Sequence, residues 1–216
     1  MNQKYVFLQA LIVTLIIFNI GIFLGYKLES SRINQINNWY LEADMELLDQ
    51  RIQSDAFDII DFDCNSLVKE NINFADEIFE KAKVIQRYED ANKINSDIVL
   101  AHKRYDLLRT LFWINSMKIK EKCKSDYHDI VYFYQYNNVP LEKNAKQNVF
   151  SNFLSKIKEE QGEKVMLIPI AADNNLSAVN LLMEKYGIDE LPVILIDEKT
   201  KLTDVQTLDE IRKYLN

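Results

Sequence analysis

The sequence predicts an α+α/β protein with an N-terminal transmembrane helix (1–27), a helical hairpin or coiled-coil segment (28–124) and a C-terminal βαβαββα domain (125–216). Three observations lead to it. The stretch from Tyr5 to Tyr26 carries no charged side chain, the next segment repeats its apolar residues at helical spacing, and beyond Cys123 short β-branched and aromatic runs alternate with helical ones. Composition agrees, because 4 Gly and 3 Pro are too few for a turn-rich chain and favour long helices with short connections. With 26 Lys and Arg against 33 Asp and Glu, the formal charge is −7. No stretch gathers basic residues as a phosphate-binding surface requires, so nucleic acid is not an expected partner.

Roughly 20 apolar residues cross the hydrocarbon core as a helix, which makes the lipid bilayer the expected partner of residues 5–26. Gln9, Thr14 and Asn19 are the clearly polar side chains there, and Tyr5 and Tyr26 occupy the interfacial positions aromatics favour. A cleaved signal peptide needs a shorter apolar core, about 7 to 15 residues, and a small-x-small site. Gly21-Ile-Phe-Leu-Gly25 does not supply one. Lys4 on one side and Lys27 and Arg32 on the other leave the orientation undecided by positive charge alone.

From Leu28 to about Ile60 the apolar positions Ile33, Ile36, Tyr40, Leu41, Leu47, Leu48, Ile52 and Phe57 predict a helix leaving the membrane directly, broken at Asp61-Phe-Asp63. A second helix is expected from Ser66 to Asp90, and a third from Ser96, an N-cap residue, to about Lys122. The short connection Ala91–Asn95 makes the pair an antiparallel hairpin. Cys64 and Cys123 lie at nearly equal distances along the chain from a turn centred on Lys93, so the hairpin brings the two thiols together at its base. Two readings stand: a structural disulfide, worth about 4 kcal/mol in the chain-entropy model, or two unrelated, partly buried thiols. A bridge places the soluble part in an oxidising space outside the cytoplasm, with the N-terminus inside. The two cysteines with His102 and His128 lack a metal-ligand spacing, so no metal is expected. Trp39, Tyr40 and Trp113 are expected to pack helices together. Glu159-Glu160 and Asp61 with Asp63 read as solvated faces or helix ends, and Asn175-Leu-Ser177 fits a glycosylation acceptor.

In the last part, Asp129–Tyr136 reads as a strand, Leu141–Gln161 as a helix, Lys164–Ala171 as a strand and Leu176–Tyr186 as a helix. Leu191–Asp197 reads as a third strand, Glu198–Lys201 as a turn, Leu202–Val205 as a fourth strand and Thr207–Leu215 as a closing helix. This order implies a parallel pair joined by a crossover helix and extended by an antiparallel hairpin.

The strand Val131-Tyr-Phe-Tyr-Gln-Tyr136 before a long helix, the segment Met183-Glu-Lys-Tyr-Gly-Ile-Asp-Glu-Leu-Pro-Val-Ile-Leu-Ile-Asp197 and the terminal amphipathic helix together resemble the thioredoxin-like superfamily. The resemblance implies a Tyr186-Gly187-Ile188 turn and a cis-proline at Leu191-Pro192. It also puts Asn138-Val139-Pro140-Leu141 where the family carries Cys-x-x-Cys. Neither an amide nor an isobutyl group attacks a disulfide, so dithiol exchange at that position is chemically excluded. The chain further resembles archaeal thioredoxin-like proteins built as an anchor, a helical segment with an Asn-Cys or Lys-x-x-Cys cysteine, and the thioredoxin-like domain. Lys120-Glu-Lys-Cys123 fits the second pattern, whereas Asn65 follows Cys64 instead of preceding it.

The resemblance thus implies a single-pass, redox-inactive thioredoxin-like module, with no catalytic residue and no cofactor. It would hold a protein partner in a groove formed by Asn138, Val139, Pro140, Leu141, Leu191 and Pro192. Two rivals are a thiol-disulfide oxidoreductase using Cys64 and Cys123, and an architectural subunit of a membrane complex whose Gln9 and Asn19 face other helices.

Overall fold

The computed structural model describes residues 3–57, 59–92, 96–205 and 207–215, with side chains for all of these except 3, 4, 29, 32–37, 39, 40, 84–92 and 96–98. The expected hairpin turn at 93–95 and the packing of Trp39 and Tyr40 lie outside the described residues. The chain divides into two compact units, Met1–Glu42 and Ala43–Asn216.

Helix α1 runs from Gln3 to Phe57. Its segment Tyr5–Leu28, with mean hydropathy 2.5, is long and apolar enough to cross a membrane. Within it, Thr14 Oγ1 and Asn19 Nδ2 donate to the carbonyls of Ala10 and Leu15, at 2.9 and 2.7 Å. These polar side chains thereby satisfy themselves on their own helix.

In the second unit, the last turns of α1 join α2 (Cys64–Asn92) and α3 (Ser96–Cys123). Asp63 starts α2 by accepting the Ser66 amide on its carboxylate at 3.0 Å, an N-cap bond that explains why the helix begins after the expected break. The helices α2 and α3 are antiparallel: Asn71 donates to Ser116 Oγ at 3.1 Å, the Phe74 and Phe112 rings lie 5.5 Å apart, and a Cys64–Cys123 disulfide joins the base.

The sheet has the order β2-β1-β3-β4, formed by β1 (His128–Tyr134), β2 (Val165–Ala171), β3 (Val193–Ile196) and β4 (Thr200–Leu202). Strands β1 and β2 are parallel, joined through α4 (Leu141–Gln161), while β3 is antiparallel to both β1 and β4. Helix α5 (Ser177–Tyr186) ends on Gly187, whose φ of 59° gives the left-handed cap that glycine adopts without a Cβ clash. The Leu191–Pro192 peptide bond is cis.

Several boundaries differ from expectation, for local reasons. Strand β1 stops at Tyr134 instead of Tyr136 because the amides of Tyr136 and Asn137 turn to the Asp173 carboxylate, at 2.8 and 2.7 Å. Strand β3 starts after Pro192, which has no N–H for a ladder. The fourth strand is Thr200–Leu202, not Leu202–Val205. Asp197 and Glu198 both take left-handed backbone (φ 48° and 57°), which closes the hairpin early and pairs Ile196 with Thr200. The closing helix α6 covers only Leu208–Arg212, opened by a capping box between Thr207 and Glu210.

Both faces of the sheet are covered. On one, Val131, Phe133, Ile168 and Leu195 pack with Leu108, Phe112 and Trp113 of α3 and Val179 of α5. On the other, Ile130, Tyr132, Leu167 and Ile194 pack with Phe150, Leu154 and Ile157 of α4 and Ile211 of α6. Helix α2 reaches α4 as well, where Lys158 pairs with Asp76 at 2.6 Å. The boundary at 124/125 thus marks a change of periodicity within one core. Trp113 packs α3 against α5, as expected, and against the sheet as well: its ring is 5.5 Å from that of Tyr186 and 5.9 Å from that of Phe133.

Trp113 is fully buried, so Trp113→Ala is expected to cost about 3–5 kcal/mol. Denaturant unfolding measures this; a loss below about 1 kcal/mol would show that α3 is not anchored through this ring.

Candidate functional site

Strand β1 is the middle of the sheet, and its two ends organise the polar chemistry of the second unit. At its C-terminal end the chain passes through Gln135–Pro140 into α4. Asn138 takes left-handed backbone (φ 47°), and Pro140 precedes the helix with φ −59°. The loop is clamped from two sides, by Asp173 as described and by Gln147, whose Oε1 accepts the Gln135 amide at 2.8 Å while its Nε2 donates to the Gln135 carbonyl at 3.0 Å.

The register Phe133↔Val193 brings Pro192 to this same end. The structure thus gathers Asn138, Val139, Pro140, Leu141, Leu191 and Pro192 at one edge of the sheet. Pro192 is buried and Leu191 and Val139 half-buried, whereas Asn138 and Pro140 are exposed and Leu141 is 86 % exposed. Neither cysteine of the bridged pair is near: Cys123 precedes the opposite end of β1, and seven strand residues span about 20 Å.

A buried network under this edge escaped the sequence reading. His102, Asp106 and Arg109 lie on one face of α3, and all three are buried. The Asp106 carboxylate accepts the Ala171 amide at 3.1 Å and Asn174 Nδ2 at 2.8 Å, with His102 and Arg109 each 3.6 Å away. Burial raises its pKa, and the His102 and Arg109 charges work in the other direction. The His102 ring stacks on Tyr136 at 4.0 Å and its Nε2 lies 2.8 Å from Tyr134 Oη. The hairpin thereby fixes both loops of the edge. The signal was a polar i, i+4, i+7 series inside an otherwise apolar helix face.

The other end of β1 borders a cleft of ≈ 550 Å³ lined by Lys120, Tyr127, His128, Tyr186, Asp197 and Glu198, among others. Asp197 bonds Lys120 and accepts from His128 Nδ1 at 2.7 Å and from the Asp129 amide at 3.1 Å. Burial opposes its ionisation, but the bonds from Lys120 and His128 prevail and lower its pKa. Trp113 Nε1 donates to Glu198 at 2.6 Å, while burial raises the Glu198 pKa. Asp129 is fully buried and accepts from Ser116 Oγ at 2.6 Å. Burial pushes its carboxyl up to about 7 against the pull of Ser116 and Lys120. His128 faces Asp197.

No protein-family model matches the chain, and no curated protein does. Of the carboxylates read as ordinary, Asp61 is exposed and pairs with Lys122, and Glu160 pairs with Arg212. Asn175 is exposed.

Two tests follow from the networks. Asp106→Ala leaves the Ala171 amide and Asn174 unsatisfied and strips Arg109 of its carboxylate, so a loss of about 3 kcal/mol is expected in denaturant unfolding. At Asp129, the folded chain keeps to about pH 7 a proton that an unfolded aspartate, with pKa about 3.9, releases earlier. Stability therefore falls as pH rises from about 4 to 7. Asp129→Asn should flatten the profile of melting temperature against pH, with a gain on the order of 2–4 kcal/mol at pH 8. Parallel profiles for variant and parent would remove Asp129 as the cause.

Proposed function

We propose that the chain is a membrane-anchored, thioredoxin-like binding module that holds a protein partner at the C-terminal edge of its sheet, without thiol chemistry in that groove. The observation that carries the reading is the cysteine-free edge itself: Pro192 stands before β3 at the end of the sheet from which the chain enters α4, where Leu141 is 86 % exposed. An apolar side chain held out on a clamped loop suits contact with a partner's backbone and apolar groups. The sheet order and the left-handed Gly187 after Tyr186 support the thioredoxin-like assignment.

Anchoring rests on Tyr5–Leu28, and the orientation on the disulfide, since such bridges persist outside the cytoplasm. In this reading the N-terminus is cytoplasmic and residues 43–216 are outside. No nucleic acid, metal or small-molecule cofactor enters the proposal.

Photo-reactive residues at 138 and 141, used in native membranes, test it. They should capture a defined protein, and Leu141→Asp should lower the yield at least about tenfold, the equivalent of 1.4 kcal/mol, without changing the melting temperature. Capture no better than from Leu181, which is exposed on α5, would end the proposal.

A further inference from the structure

The cleft at the start of β1 holds more hydrogen-bond acceptors than the protein uses. Against burial, Lys120 and His128 keep Asp197 ionised, so its carboxylate can only accept. The proton shared with His128 therefore sits on Nδ1, which leaves Nε2 of the neutral ring an acceptor without a partner among the described residues. Glu198 takes one side-chain bond, from Trp113 to Oε1, and its second oxygen takes none among the described residues. Ser125 lines the same cleft, and its buried Oγ has no hydrogen-bond partner among the described residues. Beneath them Asp129, fully buried, leaves Oδ2 without a hydrogen bond, 3.8 Å from the Lys120 ammonium on the cleft wall. Buried polar atoms are rarely left in this state unless a water, an ion or a ligand completes them.

Charge and shape narrow the class of ligand. Four acidic and two basic residues line the cleft, and one of the basic pair, Lys120, is already held between Asp197 and Asp129. Burial raises the Glu198 pKa, and a cation beside it would favour its charged form. Burial and the Glu198 charge also raise the Tyr186 pKa, a sign that this ring and the carboxylate adjoin. Met117, whose sulfur accepts from Tyr186 Oη at 3.7 Å, supplies apolar wall beside them. At ≈ 550 Å³ the cleft has room for far more than a bare ion. An ammonium brings three N–H donors and no flat face. A guanidinium brings five in a plane that both pairs with carboxylate and stacks on an aromatic ring.

We propose that this cleft binds an alkylguanidinium group, its N–H donors on Glu198, Ser125 Oγ and His128 Nε2, its plane against Tyr186 and its methylene stem along Met117. The site lies at the opposite end of β1 from the groove and does not rest on that reading. An arginine side chain of a polypeptide and a free guanidine compound share this chemistry.

Calorimetric titration of the full chain in detergent micelles tests it, with N-acetyl-arginine-N-methylamide, butylguanidinium and the citrulline and lysine counterparts of the first. Both guanidinium compounds should bind one per chain with Kd below about 1 mM. The uncharged citrulline compound and the lysine compound should bind at least about tenfold more weakly. Tighter binding of the arginine amide than of butylguanidinium assigns the site to a polypeptide ligand, and equal or reversed affinity to a free compound. Glu198→Gln keeps an acceptor for Trp113 but removes the charge, and should weaken binding at least about tenfold. Ser125→Ala, which disturbs no bond within the protein, should weaken it about threefold. Circular dichroism checks that each variant is folded. No saturable binding of either guanidinium compound, equal affinity for the citrulline compound, or an unchanged Kd in a folded variant would each overturn the proposal.

Discussion

A small sheet that is apolar on both faces depends on being covered twice. Ile130, Val131 and Phe133 of the central strand are all essentially inaccessible, although adjacent residues on a strand point to opposite sides. At about 25 cal/mol per Å² of apolar surface removed from water, neither face can be left open. Helices α4 and α6 cover one side. The hairpin supplies most of the other, and the short α5 completes it. The hairpin that the sequence suggests as a segment of its own is therefore structural for the α/β part.

Coverage by α3 sets a polar problem at each end of β1, where the strand's last amides and turn residues meet a helix. Both solutions place a carboxylate there, fully buried at Asp106 and half-buried at Asp197. Asp106, from the helix, takes the Ala171 amide and Asn174; Asp197, from the sheet, takes Lys120, His128 and the Asp129 amide. Bonds from charged groups are stronger than neutral ones but leave costly vacancies when a partner is removed. Such networks fix how the helix sits lengthwise on the sheet more tightly than apolar packing alone.

Much of this was legible in the chain. The apolar first helix, the hairpin and the meeting of its two cysteines follow from periodicity and equal arm lengths, quantities local to the sequence. The helix Leu141–Gln161 matches its expected bounds. Less legible were features decided by long-range partners. Nothing local announces that the Tyr136 amide would choose Asp173 over a strand, or that Asp197 and Glu198 would take left-handed backbone while bonded to α3. The edge residues from Asn138 to Pro192 were found through one alignment of strand and proline. His102, Asp106 and Arg109 were missed because a polar residue on an apolar helix face has no visible partner until the sheet is placed against it.

The bridge from Cys64 to Cys123 encloses nearly all of α2 and α3. A protease that nicks the chain once anywhere between those two residues would therefore release nothing: the halves remain one covalent molecule, the mass grows only by a water, and a gel run without reductant would still display a single full-size band.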